Sequence, residues 1–551
     1  MLTRKFVAKF LVLALVVFSA AMLKAQDASS LTGTVTDSSG AVVPNASVEL
    51  VNTTTNNIYK AVTNSTGSYT ISNVAPGSSY NVTFSAAGFE KVVITGFPMN
   101  VAITRTQNAK LPVGAASQTV EVSASSENVT LDTTDATIGN NMSVQQLNEL
   151  PIYDRTAGIT TLFLQQPGVD SFQGAVTGAR IDQSEVIIDG LDVNDFATGQ
   201  QFAIVATAPV DSVQQFTGNV AGLVSSVGTG SGGQFALVTK NGTNQFHGNV
   251  NEYHRDTTTV ANTWFNNLNG LPRTPLIRNQ FGGNIGGPIK RDKLFFFFDI
   301  ADSRIIQSST AERTVPLDAY RNGTLNYINS GEGCGDSSRI NTQPSCITTL
   351  SAAQVAGFDP KGVGFDPAVL ALISSRYPHA NDLSNGDGVN TGGYRFTYPT
   401  PDIETTYASR IDYNLSSKHR LFGRFTINRR NAVESLPEFP SDPSTHPFID
   451  RSYAYVISDA WTLSTNKVNQ FYYGDTISKF DFPDLYNPTG AAQYSFSGIS
   501  GPYTSFDGQK RRVPTPMVRD DFSWQLGKHS LTFGGTLRLL NHVFATVVVS
   551  R

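Results

Sequence analysis

At 551 residues the chain is too long for one ordinary domain, and about two to four are expected. A net charge of −4, with only 15% charged residues, leaves no basic footprint for nucleic acid. The 47 glycines, 34 phenylalanines and 19 tyrosines lean toward β structure, and a 40% hydrophobic share is modest, as strands of alternating faces require.

The first residues have the form of a secretory signal. Arg4, Lys5 and Lys9 make a basic start, Phe10 to Leu23 is apolar, and the small residue Ala25 suits cleavage, so residues 1–25 are expected to be removed on export. The apolar run is short for a span of about 20 residues, which speaks against a helical anchor. No other long apolar run follows, so any membrane passage would be through a β-barrel.

Residues 31–112 are expected to form a small β-sandwich. Leu31, Gly33 and Val35 alternate, as do Ala46, Val48 and Leu50, and later Tyr80, Val82 and Phe84. Asp37-Ser38-Ser39-Gly40, Asn64-Ser65-Thr66-Gly67 and Pro76-Gly77 supply the turns. The order GTVTDSSGAVVPNASVEL, then TNSTGSYTISNVAPGSSYNVTFSAAGF, is similar to the carboxypeptidase-regulatory-like family, which implies a carbohydrate-binding-like fold. The resemblance concerns an accessory domain and implies neither peptidase activity nor sugar binding.

Residues 113–125 are expected to be a linker carrying a short β-like run, Thr119, Val120, Glu121, Val122 and Ser123. Residues 126–240 then have the pattern of a mixed α/β domain. Ser143 caps a short helix that Pro151 ends. Glu185 to Ile188 makes a buried strand before the tight turn at Asp189-Gly190, and Pro209 to Phe216 a helical turn running into a strand. Asp189, Asp192 and Asp195 lack the spacing of a calcium loop and suit a polar turn. The glycines 228, 230, 232 and 233 lack a following Gly-Lys-Ser/Thr, so close backbone packing accounts for them better than a phosphate cradle. Asn241-Gly242 is expected to be a tight turn before the next strand.

From residue 241 on, long segments alternate polar and apolar faces. Tyr407, Ile411, Tyr413 and Leu415 oppose Thr406, Arg410, Asp412 and Asn414. Leu421, Phe425 and Ile427 oppose Arg420, Arg424, Thr426 and Asn428, while Leu531, Phe533, Leu537 and Leu539 oppose Ser530, Thr532, Thr536 and Arg538. Their length suits the roughly 9–11 residues that cross a bilayer. Short turns near 287–293, 416–418, 464–466 and 527–529 alternate with long connections at 256–277, 303–404, 429–451 and 479–517. That layout predicts a transmembrane barrel with short periplasmic turns and long outer loops. About nine strands follow Phe246, too few to close around an internal domain, since plugged transporters use about 22. The barrel is therefore expected to be incomplete.

The stretch GTGSGGQFALVTKNGTNQFHG, from Gly228 to Gly248, resembles the plug-to-barrel junction of TonB-dependent outer-membrane receptors. Arg278-Asn279-Gln280-Phe281-Gly282-Gly283, Gly286-Gly287-Pro288-Ile289-Lys290 and Leu294 to Phe298 continue the likeness. The resemblance implies a mainly β chain: a sandwich at 31–112, a plug at 126–240, and the first part of an antiparallel transmembrane β-barrel at 241–551. It implies a receptor in the outer membrane of a Gram-negative-type bacterium that takes up a bulky nutrient. Its partners would be the periplasmic TonB complex, outer-membrane lipid and a nutrient of unread identity. TonB would meet a segment such as Thr119–Ser123 by strand addition, which works through main-chain hydrogen bonds. The alternative is a secreted or surface-attached β-rich adhesion or carbohydrate-binding protein without transport.

No enzyme, cofactor or metal chemistry is expected. The seven histidines show no HExxH and no close pairing, and no GxSxG elbow occurs. His419 and His529 follow short turns and suit interface positions. Cys334 and Cys346 lie in one long loop and, in an exported protein, are expected to form a local disulfide.

Overall fold

The computed structural model describes residues 29–547 except 102–103, 115–118, 124–137, 151, 153, 157, 171–174, 197–203, 223–230, 269, 330–333, 335–343, 443–446, 465, 484–493, 504–507, 527–528 and 542. The expected signal segment, Pro151, Gly228 and Gly230 lie outside the described residues.

Strands β1 (Ser29–Asp37), β2 (Ser47–Asn52), β3 (Ile58–Val62), β4 (Ser68–Val74), β5 (Gly77–Ser85), β6 (Lys91–Met99), β7 (Thr104–Thr106) and β8 (Ala109–Leu111) build a two-sheet sandwich. Every second residue of β1 is buried, Leu31, Gly33 and Val35 among them, because a pleated strand turns alternate side chains to one face. The carboxylate of Asp37 accepts hydrogen bonds from the backbone N–H groups of Ser39 and Ala41, which fixes the first turn. A ninth strand, β9 (Thr119–Ser123), adds in parallel to β6 and stands at the edge of its sheet. The run expected in a linker is thus part of a sandwich sheet.

The segment expected to be a plug, called the plug below, forms a sheet of order β10-β13-β14-β11-β12, with β10 (Ile138–Ser143), β11 (Glu185–Ile188), β12 (Leu191–Asp192), β13 (Val213–Ala221) and β14 (Gln234–Thr239). Ser143 caps the helix Val144–Glu149 through a reciprocal bond pair with Gln146. Phe163, on the helix Ile159–Leu164, packs against Phe216 and Phe235 at ring distances of 5.7 and 4.9 Å. Asp189 and Gly190 both take positive φ, making the sharp reversal between β11 and β12.

The third unit is a 12-stranded antiparallel sheet. Its wall consists of β15 (His247–Asp256), β16 (Leu276–Lys290), β17 (Leu294–Pro316), β21 (Asp402–Asn414), β22 (His419–Val433), β24 (Tyr453–Ser464), β25 (Lys467–Phe482), β26 (Gly508–Leu526) and β27 (His529–Arg538). Each hydrogen-bonds to the next in chain order. Short strands β20 (Thr391–Pro399), β23 (Pro447–Asp450) and β28 (Val543–Val547) prolong the wall at the end that bears the long connections. A separate hairpin in the second of those connections pairs β18 (Leu325–Ile328) with β19 (Ile347–Leu350), and Cys334 is disulfide-bonded to Cys346 beside it. Among the described residues, β15 and β27 are the free edges of the wall.

Burial in the wall is inverted relative to a water-soluble sheet. Thr406 and Thr426 are 0% exposed, while Ile411 and Ile457 are 51% and 54% exposed. Arg278, Gln280, Asp299, Arg424, Gln470 and Asp521 are buried against the plug side; Ile285, Phe425, Phe471 and Leu537 face outward. Such a surface is stable only if its outer face meets lipid. The outer connections are shorter than expected, because the strands continue past the bilayer. The connection expected at 303–404 is strand as far as Pro316 and again from Thr391. With 23 residues at about 3.3 Å each, β17 far exceeds the roughly 30 Å hydrocarbon core.

Asn241-Gly242 is not the expected tight turn, as neither residue has positive φ. The chain passes directly from β14 toward β15. A Cβ on Gly242 would lie 2.4 Å from the Phe296 carbonyl oxygen and 2.7 Å from that of Gly287, so glycine is required by the approach of three backbones. Gly242→Ala should therefore lower stability by about 1–3 kcal/mol, read as a drop in the urea midpoint of the folded barrel.

The sandwich yields a pH prediction. The Tyr69 and Tyr80 hydroxyls donate to the carbonyls of Gln107 and Ala75, and burial pushes both phenols well above their ordinary value. The unfolded chain ionises them near pH 10, about the free phenol value, while the folded chain keeps them protonated. Their contribution is present below about pH 10 and is lost as pH rises above it. Limited proteolysis in urea should show the midpoint of the sandwich falling between pH 8 and pH 11, and falling less in Tyr69→Phe; an unchanged wild-type midpoint would contradict this.

Candidate functional site: charge pairs between plug and wall

The turn Asp189 to Asp195 projects from the plug into the wall. The Asp189 carboxylate first caps its own sheet, accepting from the backbone N–H and hydroxyl of Thr239 at 2.9 and 2.6 Å. It also accepts a hydrogen bond from Arg410 of β21 at 2.8 Å and is ion-paired with Arg424 of β22 at 3.0 Å. All three side chains are nearly removed from solvent. Arg424 also donates to the Ile188 carbonyl at 3.1 Å, and Arg410 lies over the Phe422 ring and pairs with Asp412. One plug carboxylate thus joins two neighbouring wall strands.

A second contact holds β12. Arg538 of β27 is paired with Asp192 and lies 3.5 Å from Glu185. The Thr476 hydroxyl of β25 donates to the Asp192 carbonyl at 2.8 Å. Burial pushes the Asp192 carboxyl above the usual carboxylate range, and the Arg538 charge opposes that shift. At the other side of the plug, Arg278 of β16 pairs with Asp154 at 3.1 Å. Arg155 pairs with Asp211 at 2.6 Å, and Asp211 also accepts from Asn251 of β15. Among the described residues, one cluster of buried apolar side chains joins the units: Leu191, Val205 and Ala206 against Ala454, Val456, Tyr472 and Met517, with Phe422 beside them.

The carboxylates expected to form a polar turn, Asp189 and Asp192, are thus ion-pair anchors. Among the described residues no group of His, Cys, Asp and Glu is arranged to hold a metal. Sequence reading placed Arg410, Arg424 and Arg538 on the polar faces of their strands but did not match them to carboxylates. The available signal was an arginine on the inward face of a membrane strand, which calls for a charged partner.

The sandwich sits at the short-turn end. Asn56 donates to Asp292 at 2.9 Å, Arg420 donates to the Ile58 carbonyl at 3.0 Å, and the Arg420 guanidinium lies 4.1 Å above the Tyr59 ring. A cavity of about 120 Å³ remains between sandwich, plug and wall, lined by Tyr59, Asn73, Asp189, Arg410 and Arg420. His419 stacks on Trp461 and bonds Asp459 at 2.9 Å at this same rim. At the opposite end the outer connections fold onto one another. Ile373 and Tyr377 pack with Val315, Phe439 and Ile499, and Arg376 pairs with Asp442 between the rings of Phe439 and Tyr503.

Residues 238–547 match the family model described as an outer membrane beta barrel domain, and residues 30–112 match the carboxypeptidase regulatory-like domain. The TonB-dependent transporter Oar of Myxococcus xanthus is 27% identical over 262 residues, covering 44% of this chain and 23% of that relative. The chain therefore spans about a quarter of the length of the curated relative it matches. Among solved structures, the outer membrane transporter YddB of Escherichia coli aligns with a TM-score of 0.44 and 11% identity, over 73% of this chain and 48% of its own. The ferric enterobactin receptor of Pseudomonas aeruginosa aligns at 0.42 and 9%, over 72% and 48%.

The clamp geometry sets an expected cost. Asp189→Asn leaves Arg410 and Arg424 buried without their shared carboxylate, a change worth about 3–5 kcal/mol. Hydrogen exchange should show β11 and β12 losing protection, whereas Asp182→Asn, which breaks the solvent-exposed pair with Arg180, should leave them unchanged.

Proposed function

Because the chain belongs to the outer membrane β-barrel domain family, we propose that it acts as a TonB-dependent receptor that admits a bulky nutrient across the outer membrane. Residues 1–25 serve as the export signal, 31–112 as a periplasmic sandwich, 126–240 as the plug and 241–551 as barrel wall. The folded outer connections capture the nutrient. The plug closes the lumen until TonB pulls on the chain from the periplasm.

The observation that carries this reading is the charged interface between plug and wall. An obstruction that must leave its seat cannot be held by a large apolar surface, since separation would expose that surface to water at about 25 cal/mol per Å². Buried ion pairs behave differently. Their attraction is largely offset by the loss of hydration, so water entering the lumen restores most of what separation takes away. Asp189 with Arg410 and Arg424, and Asp192 with Arg538, have this character. Pulling that wets one pair weakens the rest of the seat.

The coupling segment in this reading is Thr119–Ser123. Its place at a sheet edge suits recruitment of a further strand through main-chain hydrogen bonds, and it lies just ahead of the plug in sequence. A photo-reactive residue at Val120 should crosslink to TonB in cells, with a yield that drops when an uncoupler collapses the proton gradient. Val120→Pro, which removes one main-chain donor, should prevent co-purification with the periplasmic domain of TonB. Absence of any crosslink from positions 119–123, together with no co-purification of the wild-type chain, would remove the transport reading.

A further inference from the structure

On the outward face of the wall, the chemistry changes within one step along the strands. Ile427, Tyr453, Ile477 and Pro514 stand opposite one another across β22, β24, β25 and β26. Two residues nearer the outer end, the same strands and the corner before β24 present Arg429, Arg451, Lys479 and Arg512. Lys479 and Arg512 are direct cross-strand partners, and the Arg451 N–H donates to the Lys479 carbonyl. The Arg451 guanidinium reaches back to β22, donating to the Arg430 carbonyl and to the Asn431 side chain. Arg429, Lys479 and Arg512 are exposed.

Four cations therefore share one latitude, directly above an apolar row. Among the described residues none of the four is in a salt bridge. The neighbouring acids are committed or set apart. Asp481 pairs with Lys510, and Asp302 pairs with Arg304. Asp450, beside Arg451, accepts from Ser452, and Asp475, within the field of Arg512, accepts from the Thr515 N–H. Like charges directly opposite in a sheet destabilise it, so the row calls for an external anion. Arg451, Lys479, Lys510, Arg511 and Arg512, with the single carboxylate Asp481, are among the residues lining an open cleft of about 440 Å³ here.

We infer that this row binds the phosphate groups of an outer-leaflet lipid headgroup. The proposal rests on the membrane reading above. The height of the row favours a lipid over a soluble anion: cations stand where headgroup phosphates lie, and Tyr453, Phe425 and Tyr473 below them offer an apolar and aromatic surface for acyl chains. Arginine and lysine at such a boundary bind phosphate through charge-assisted hydrogen bonds.

The test uses the full chain in zwitterionic detergent micelles, with native mass spectrometry as readout. The probes are a bisphosphorylated glucosamine-based lipid, its dephosphorylated form, and inorganic phosphate. The bisphosphorylated lipid should bind, with the dephosphorylated form weaker by about tenfold or more. Lys479→Gln with Arg512→Gln should weaken binding by about the same factor, and Lys479→Arg with Arg512→Lys should restore it. Lys510→Gln should have the smaller effect, since Asp481 already holds that charge. Equal binding of both lipids by a chain that does partition into membranes would overturn this inference alone. Displacement by equimolar inorganic phosphate would overturn the choice of a lipid. A chain recovered in the aqueous phase would overturn the membrane reading and this one with it.

Discussion

The structure depends on a wall that keeps its polar side chains inside and its apolar ones outside. A water-soluble sheet gains stability by burying apolar area, and this wall gives that gain to lipid instead. The interior must then satisfy buried threonines, glutamines, aspartates and arginines by other means. Hydrogen bonds between neighbours meet part of the demand, as where Gln470 bonds Ser458 and Thr406 bonds Asn428. The plug supplies a further part, as Asp189 does for Arg410 and Arg424.

Plug and wall are thus complementary in charge more than in apolar shape. The plug has its own core around Phe163, Phe216 and Phe235. The wall, by contrast, needs the plug. Arg424 is almost wholly buried, and Asp189 and Thr426 are its compensation. An uncompensated arginine at that depth would be costly. The sandwich adds a second layer at the short-turn end through Asn56, Ile58 and Tyr59, and leaves a small cavity above it.

Much of this was legible in the residues. The alternation in β21, β22 and β27, the cap at Ser143, the reversal at Asp189-Gly190 and the position of the short turns are local properties, set by the strand period and by turn chemistry. The misread features have non-local causes. Asn241-Gly242 has the composition of a hairpin turn, but the backbones of β16 and β17 pass beside it and demand glycine for space. Thr119–Ser123 looks like a linker because nothing nearby in sequence shows that β6 has an open edge. The outer connections looked long because strand continues beyond the lipid, where both faces are wet and alternation is lost.

The sequence by itself determined the class of the protein. A period of two, sustained over membrane-crossing lengths and placed after a compact α/β domain, admits few folds, because each strand carries the rule in its own residues. Only the tertiary structure decided the partners. Asp189 lies 221 residues from Arg410, and Asp192 meets Arg538 from the far end of the wall. How a sheet curls around its plug fixes such pairs, and curvature is a property of the whole assembly that no single strand encodes.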